Sequence, residues 1–196
     1  MNIFYVDSNP TIAAQSMVDR HVVKMILETA QLLSTAHRVL DGVQTEGKSK
    51  SGRKSKKWSL PNDDDNIMYS ATHVNHPSAV WARQSTNNYI WLYNHLLALG
   101  AEYSHRYGRT HITISKLSAI LSNPPKNLTK QEFTKMPSCM DTSYIVSEDP
   151  VENYRNYYNK GKRSLFRWTK RNPPNWALGD IILVDPIKMI HIAKGA

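Results

Sequence analysis

Between residues 21 and 36 the chain is apolar nearly all round a helix, except for one line of polar side chains: His21, Lys24, Glu28, Gln31 and Thr35. Spacings of three and four put all five along one face. Between them stand Val22, Val23, Met25, Ile26, Leu27, Ala30, Leu32, Leu33 and Ala36. Such a helix is largely buried, and burying a carboxylate and an ammonium without partners is costly. The polar line therefore either packs against matching groups or lines a cleft. The simplest account makes Lys24 and Glu28 an ordinary i, i+4 pair and His21 a hydrogen-bonded core residue. The chemical account makes them a site. A lysine in partly apolar surroundings can lose its proton and become a nucleophile or Schiff-base former, and a carboxylate one turn away can move protons.

The length of 196 residues suits one domain, residues 1–196, with a real core, and 40% hydrophobic content with five Trp argues for a folded globule. The net charge of +9 points to a polyanionic partner, nucleic acid before membrane, with simple solubility as the plain alternative. A lone cysteine, Cys139, excludes an internal disulfide and any cysteine-rich zinc site, and fits a reducing compartment. The N-terminus carries no basic-then-apolar signal pattern, and no apolar run reaches membrane-spanning length. A soluble, cytoplasmic protein with no membrane partner is expected.

Residues 2–6 (NIFYV) are a short apolar run that reads as one strand or an extended arm, and Asn9-Pro10 caps a helical pattern that runs to about Leu40, with a break near Ser16 and a stop at Gly42. Residues 44–66 are expected as a flexible insertion, strongly basic through 57 and acidic at Asp63 to Asp65. His76-Pro77 opens a second long helix reaching Tyr107 and stopped by Gly108. A short third helix covers 112–122, residues 123–148 show no period, and Asp149-Pro150-Val151-Glu152 starts a fourth. The C-terminal region is loop-rich, with a β-like IILV at 181–184. The expected fold is mainly α, a single compact helical domain.

On the second helix, Arg83 and Glu102 lie too far apart to hold one small ligand, and Glu102 with Arg106 reads as an i, i+4 pair. His73 and His76 stand three apart, with His37 and His111 elsewhere, but the sequence identifies no third or fourth zinc ligand and no HExxH. No metal or other cofactor is expected. Two basic segments suit nucleic acid. Lys48, Lys50, Arg53, Lys54, Lys56 and Lys57 make a phosphate-seeking arm without sequence-reading geometry. The stretch from Tyr154 to Trp176 interleaves cations with flat faces, through Arg155, Tyr158, Lys160, Lys162, Arg163, Arg167, Trp168, Lys170 and Arg171. That mixture suits distorted or single-stranded nucleic acid, although Tyr at helical spacing is also ordinary core.

The chain resembles the phage endonuclease V class of pyrimidine-dimer DNA glycosylases. That class carries Asp-x-His near its N-terminus with a Glu seven residues after the His, matched by Asp19-Arg20-His21 and Glu28. A second match lies on the long helix, at Trp91-Leu92, Ala101-Glu102 and Arg106, with Gly108 one residue late. The resemblance implies an all-α protein that binds damaged DNA, flips a base and cleaves the glycosidic bond through a Schiff base. In that class an N-terminal α-amine, bared by loss of Met, is the nucleophile, and the carboxylate protonates or stabilises the opening sugar. Here Asn2 is large enough that Met1 is expected to stay, leaving the Met1 amine or Lys24 as the nucleophile. The class also has arginines where this chain has Ile3, Leu27 and Gln31.

The expected function is a base-excising DNA glycosylase with AP-lyase activity, acting on damaged or distorted duplex. Glu28, Lys24, His21 and Met1 are its candidate catalytic groups, supported by Gln31, Asp19, His76, Arg83 and Glu102. The rival expectations are a non-catalytic nucleic-acid-binding protein and an enzyme of nucleotides or modified bases.

Overall fold

Capping residues set the helix starts. The computed structural model describes residues 1–48, 52 and 54–177. In it α1 spans Pro10–Ser16, and its cap Asn9 accepts the Thr11 and Ile12 amides at 2.9 and 3.3 Å. The other helices are α2 (Asp19–Asp41), α3 (Asp64–Ile67), α4 (Pro77–Ala82), α5 (Thr86–Tyr107), α6 (Ile112–Leu117) and α7 (Pro150–Gly161). Among the described residues the architecture is mainly α, with one two-stranded antiparallel sheet of β1 (Val43–Lys48) and β2 (Lys54–Ser59). No helix among them is long and apolar enough to cross a membrane.

Several expected boundaries move. The single helix expected from Pro77 to Tyr107 is two, because Ser85 accepts the Asn88 amide at 3.1 Å and starts α5 afresh. Asn88 then donates to the Trp81 carbonyl of α4 at 2.9 Å, so a serine cap and a buried asparagine turn the chain that periodicity would carry straight on. The third helix ends at Leu117, and Ile120–Ser122 is a 3-10 turn. The insertion at 44–66 is not simply a loop: it holds the β1–β2 hairpin and α3. Gly42 makes the entry to that hairpin, since a Cβ there would stand 2.4 Å from the Arg38 carbonyl oxygen. The IILV segment at 181–184 lies outside the described residues.

α2 and α1 both pack on α5, and α2 also packs on α4. Val22, Met25, Ile26, Leu32 and Leu33 of α2 meet Leu92, Leu96 and Leu99 of α5 in one buried cluster. The N-terminal arm is part of this core, with Ile3 and Val6 fully buried. Its backbone is irregular, so it takes partners from side chains: Arg155 Nε donates to the Val6 carbonyl at 2.8 Å and Trp91 Nε1 to the Ser8 carbonyl at 2.7 Å.

A buried ion cluster pins the start of α2. Arg106 Nε donates to Glu102 at 2.7 Å, Nη1 to Asp19 at 2.8 Å and Nη2 to the Gln15 carbonyl at 3.0 Å. Arg171 adds 2.8 Å to Glu102, and the Thr169 amide and hydroxyl add 2.9 and 2.8 Å to Asp19. Burial pushes both carboxyls up, but the hydrogen bonds outweigh it and hold each below its ordinary range: Thr169 and Arg106 on Asp19, Arg171 and Arg106 on Glu102.

Arg106→Met is therefore expected to cost about 3–5 kcal/mol in urea denaturation, because it strands buried carboxylates. The stability these acids give is present above their unfolded values near ~4 and is lost as pH falls through their lower native values. The variant should consequently lose less stability than the parent over the same acid range.

Candidate functional site

What covers the polar line of α2 changes along its length. In the C-terminal half the protein supplies the partners. Thr35 Oγ1 donates to the Thr72 carbonyl at 3.4 Å and accepts its amide at 3.2 Å. Arg38 continues the same face and donates to the carbonyls of Tyr69 (2.6 Å), Trp58 (2.9 Å), Asp65 (2.8 Å) and Met68 (2.9 Å) while pairing with the Asp65 carboxylate at 2.5 Å. These residues are polar because they serve the irregular backbone laid over them. In the N-terminal half the line opens outward. Lys24 is 67% exposed, and Val23 and Leu27, expected in the core, are also exposed. Lys24 therefore does not sit in the partly apolar surroundings expected of it.

Glu28 stands where that opening meets the N-terminal arm. Its side chain is 12% exposed. The Asn2 amide donates to Oε2 at 3.0 Å, the Met1 amino group lies 3.8 Å from the same oxygen, and Lys24 Nζ lies 3.1 Å from Oε1. The Met1 side chain is 2% exposed although the residue as a whole is only half-buried, so its exposure lies on the backbone. Asn2 holds this geometry. Its Nδ2 donates to the Cys139 carbonyl at 2.8 Å, and its Oδ1 accepts the Ile3 and Phe4 amides at 2.8 and 3.2 Å. Cys139 Sγ in turn meets Ser78 Oγ at 3.3 Å, tying the arm to α4.

Phe4 sits in the left-handed region at φ 55°, and His73 does so at φ 48°. For residues other than glycine such backbone costs about 1–2 kcal/mol each and persists only where the surroundings enforce it. His76 caps α4 by accepting the Ser78 amide on Nδ1 at 3.2 Å, which puts its neutral-state proton on Nε2. Burial, the Met1 ammonium and His73 push His76 below the ordinary histidine value, and Glu28 partly opposes them. His73 and His76 therefore belong to the surroundings of Glu28. Among the described residues no group of three His, Cys, Asp or Glu is placed to hold a metal ion.

His21 is buried and bonded within the core, as the simplest account of the polar line has it. Its Nδ1 pairs with the Tyr158 hydroxyl at 2.5 Å and its ring stacks on Phe4 at 4.2 Å. Burial first, then the charges of Lys162, Lys24 and Arg20, push it down to about 4. Its role is to seat the arm that carries Met1 and Asn2. It also lines a cavity of about 550 Å³ with Arg20, Val23, Lys24, Lys162 and Leu165, which holds three cations and no acid. Lys24 belongs both to this cavity and to the Glu28 pair.

The remaining candidates divide between interior and surface. Asp19, Glu102 and Arg171 are consumed in the ion cluster. Arg155 is consumed by Val6 and by Asp7 at 3.1 Å, and Tyr158 is fully buried, so neither is free to meet a base or phosphate. Trp168 donates to the Ser16 carbonyl at 2.9 Å and packs on the core. Arg83 ends α4 at the opposite end from His76, with a buried Nη1 lacking a partner, and takes no part in the site. Gln31 is half-buried between Glu28 and Thr35. Lys160, Arg163, Arg167 and Lys170 are exposed and Lys162 half-exposed, while Lys48, Lys54, Lys56 and Lys57 are exposed on the hairpin. Lys50 and Arg53 lie outside the described residues.

Sequence reasoning missed Arg20, Asn2, His73 and Cys139. Arg20 carries a signal, being four residues before Lys24 and so on its face. The other three are brought in by irregular backbone that has no period.

The position of His21 has a measurable consequence. In a histidine NMR titration it should remain neutral from pH 8 to 5. Because its unfolded value is near ~6.5 and its native value about 4, its contribution to stability is complete above the first and lost as pH falls toward the second. Phe4→Ala should raise the native value toward the ordinary one by letting water onto the ring. No protein-family model, no curated protein and no solved structure matches this chain.

Proposed function

We propose that this protein is a DNA-processing enzyme, a base-excising glycosylase with AP-lyase activity that works through an amine Schiff base. One observation carries the reading: two amines, those of Met1 and Lys24, lie 3.8 and 3.1 Å from a single carboxylate, Glu28. Catalytic amines need a neighbouring group to take and return protons, and a carboxylate at this range does so. The adjoining cavity of Arg20, Lys24 and Lys162 suits the phosphates on either side of an extruded nucleotide.

In this mechanism the amine, having passed a proton to Glu28, attacks C1′ of the sugar. The C1′–N bond breaks, and the base leaves with the electron pair and takes up a proton. Opening of the ring at O4′ gives the iminium, loss of a C2′ proton expels the 3′-phosphate, and water then frees the amine. Met1 is the better-placed nucleophile, because its side chain is anchored while Lys24 extends into solvent. Glu28 returns its proton to O4′ as the ring opens, and the carboxylate so regenerated holds the cationic iminium.

A second reading, an enzyme of free nucleotides, is favoured by the size of the cation-lined cavity, which falls within the range of small-molecule sites. Saturable binding of a nucleotide without DNA would support it.

Incubation with duplex DNA carrying a damaged base or an abasic site, in the presence of borohydride, should give a covalent adduct. Peptide mapping should place that adduct on Met1. Glu28→Gln should lower its yield by about 10²-fold or more. The absence of any adduct, together with DNA affinity unchanged by Glu28→Gln, would make the protein a non-catalytic binder.

A further inference from the structure

The β1–β2 hairpin is a feature that the fold does not use. Nearly every residue in it is exposed, and only Gly47, Ser55 and Trp58 are partly covered. A two-stranded ribbon with no buried face is marginal by itself. It is nevertheless rooted firmly, by Arg38 Nη1 on the Trp58 carbonyl at 2.9 Å. Its described strands carry Lys48, Lys54, Lys56 and Lys57 against one acid, Glu46.

The register makes the charge more telling than the count. Lys48 pairs directly opposite Lys54, and Glu46 opposite Lys56. Like charges facing each other across an antiparallel pair destabilise it, so Lys48 and Lys54 weaken the element that bears them. Alternation along the strands puts Lys48, Lys54 and Lys56 on one face with Glu46, an excess of two positive charges. That arrangement makes sense when a polyanion lies against the face and neutralises it.

The root also fixes where the ribbon stands. Arg38 stands ten positions after Glu28 on α2, roughly 80° round the helix and about 15 Å along it, an axial rise equal to roughly four base pairs of duplex. A two-stranded ribbon is also of a width that the major groove admits.

We propose that β1–β2 is a duplex-binding ribbon, which grips the DNA phosphates on one side of the nucleotide held at Glu28. The proposal rests on the nucleic-acid reading above and adds to it a second contact with a defined offset. The ribbon contributes affinity and orientation, and reads no bases, because its groups are lysine point charges.

The test uses the full chain with Lys48, Lys54, Lys56 and Lys57 all changed to Ser, beside a version with all four changed to Arg. The probe is a duplex of about two helical turns with a central abasic-site analogue. The Ser variant should bind about tenfold or more weakly near physiological salt, with the slope of log affinity against log salt reduced by about 3. It should lose hydroxyl-radical protection on one flank of the lesion and keep protection at the lesion. The Arg variant should behave as the parent. An unchanged salt slope and footprint in the Ser variant would overturn the proposal, as would loss of binding to anionic lipid vesicles with duplex binding intact. Borohydride trapping by the parent separates the two ideas. Trapping without a ribbon effect defeats the ribbon alone, and a ribbon effect without trapping defeats the enzyme and leaves the ribbon standing.

Discussion

The side chain of Arg106 has no water to turn to, so its partners must be protein, and they come from three helices. Glu102 lies on its own helix, Asp19 at the start of α2 and the Gln15 carbonyl on α1. A guanidinium accepts only a narrow range of positions for such partners, because its donors are fixed in one plane. Turning α2 by one residue would swing Asp19 about 100° away, breaking its bonds to Arg106 and Thr169 and leaving one buried Arg106 donor group without its partner. The rotation of α2 is therefore set at its first residue, and every later position inherits it. His21 turns inward beneath Phe4, Lys24 outward, and Glu28 comes to the boundary between them.

From that setting the polar line of α2 meets two different fates. Thr35 and Arg38 are answered by carbonyls of the segment that crosses them, so their polarity is structural. Glu28 is answered by the end of the N-terminal arm, which is held by Asn2 and by a stacked Phe4–His21 pair. Delivering the arm to that place requires Phe4 to adopt a left-handed backbone, and His73 near the opposite wall does the same. Such backbone at Phe4, two residues after the Asn2 amide that meets Glu28, persists because the surrounding contacts enforce it.

Much of this was legible in the sequence, and the failures share one cause. The capped starts at Asn9 and Asp149, the long α2 and the line His21–Lys24–Glu28 follow from local chemistry and helical period. The break at Ser85 was hidden because Asn88 and Ser85 act across a turn, not along a helix. The hairpin was hidden because its strands are polar on both faces, so no alternation marks them. His21 and Tyr158 take the core alternative that the sequence leaves open, and Arg155 turns to the arm, because composition counts a charge or a ring without saying which way it faces. Arg38, Arg106, Arg155 and Arg171 all turn inward, where irregular backbone and buried acids need several donors from one side chain.

With those arginines spent inside, two clusters of outward positive charge flank Glu28 along α2. One is the cavity of Arg20, Lys24 and Lys162 beside Glu28, and the other is the lysine ribbon beyond Arg38. Neither offers a fork aligned to base edges, so under the proposed function both act on phosphates and neither chooses a sequence. Selectivity must then come from what can reach Glu28. That carboxylate is 12% exposed, where the N-terminal arm meets α2. A nucleotide that is already unpaired or easily extruded pays the least to arrive there, so that limited exposure favours damaged positions. Under the proposed function the surface charge gathers DNA in general, and the limited exposure of one acid selects where the chemistry occurs.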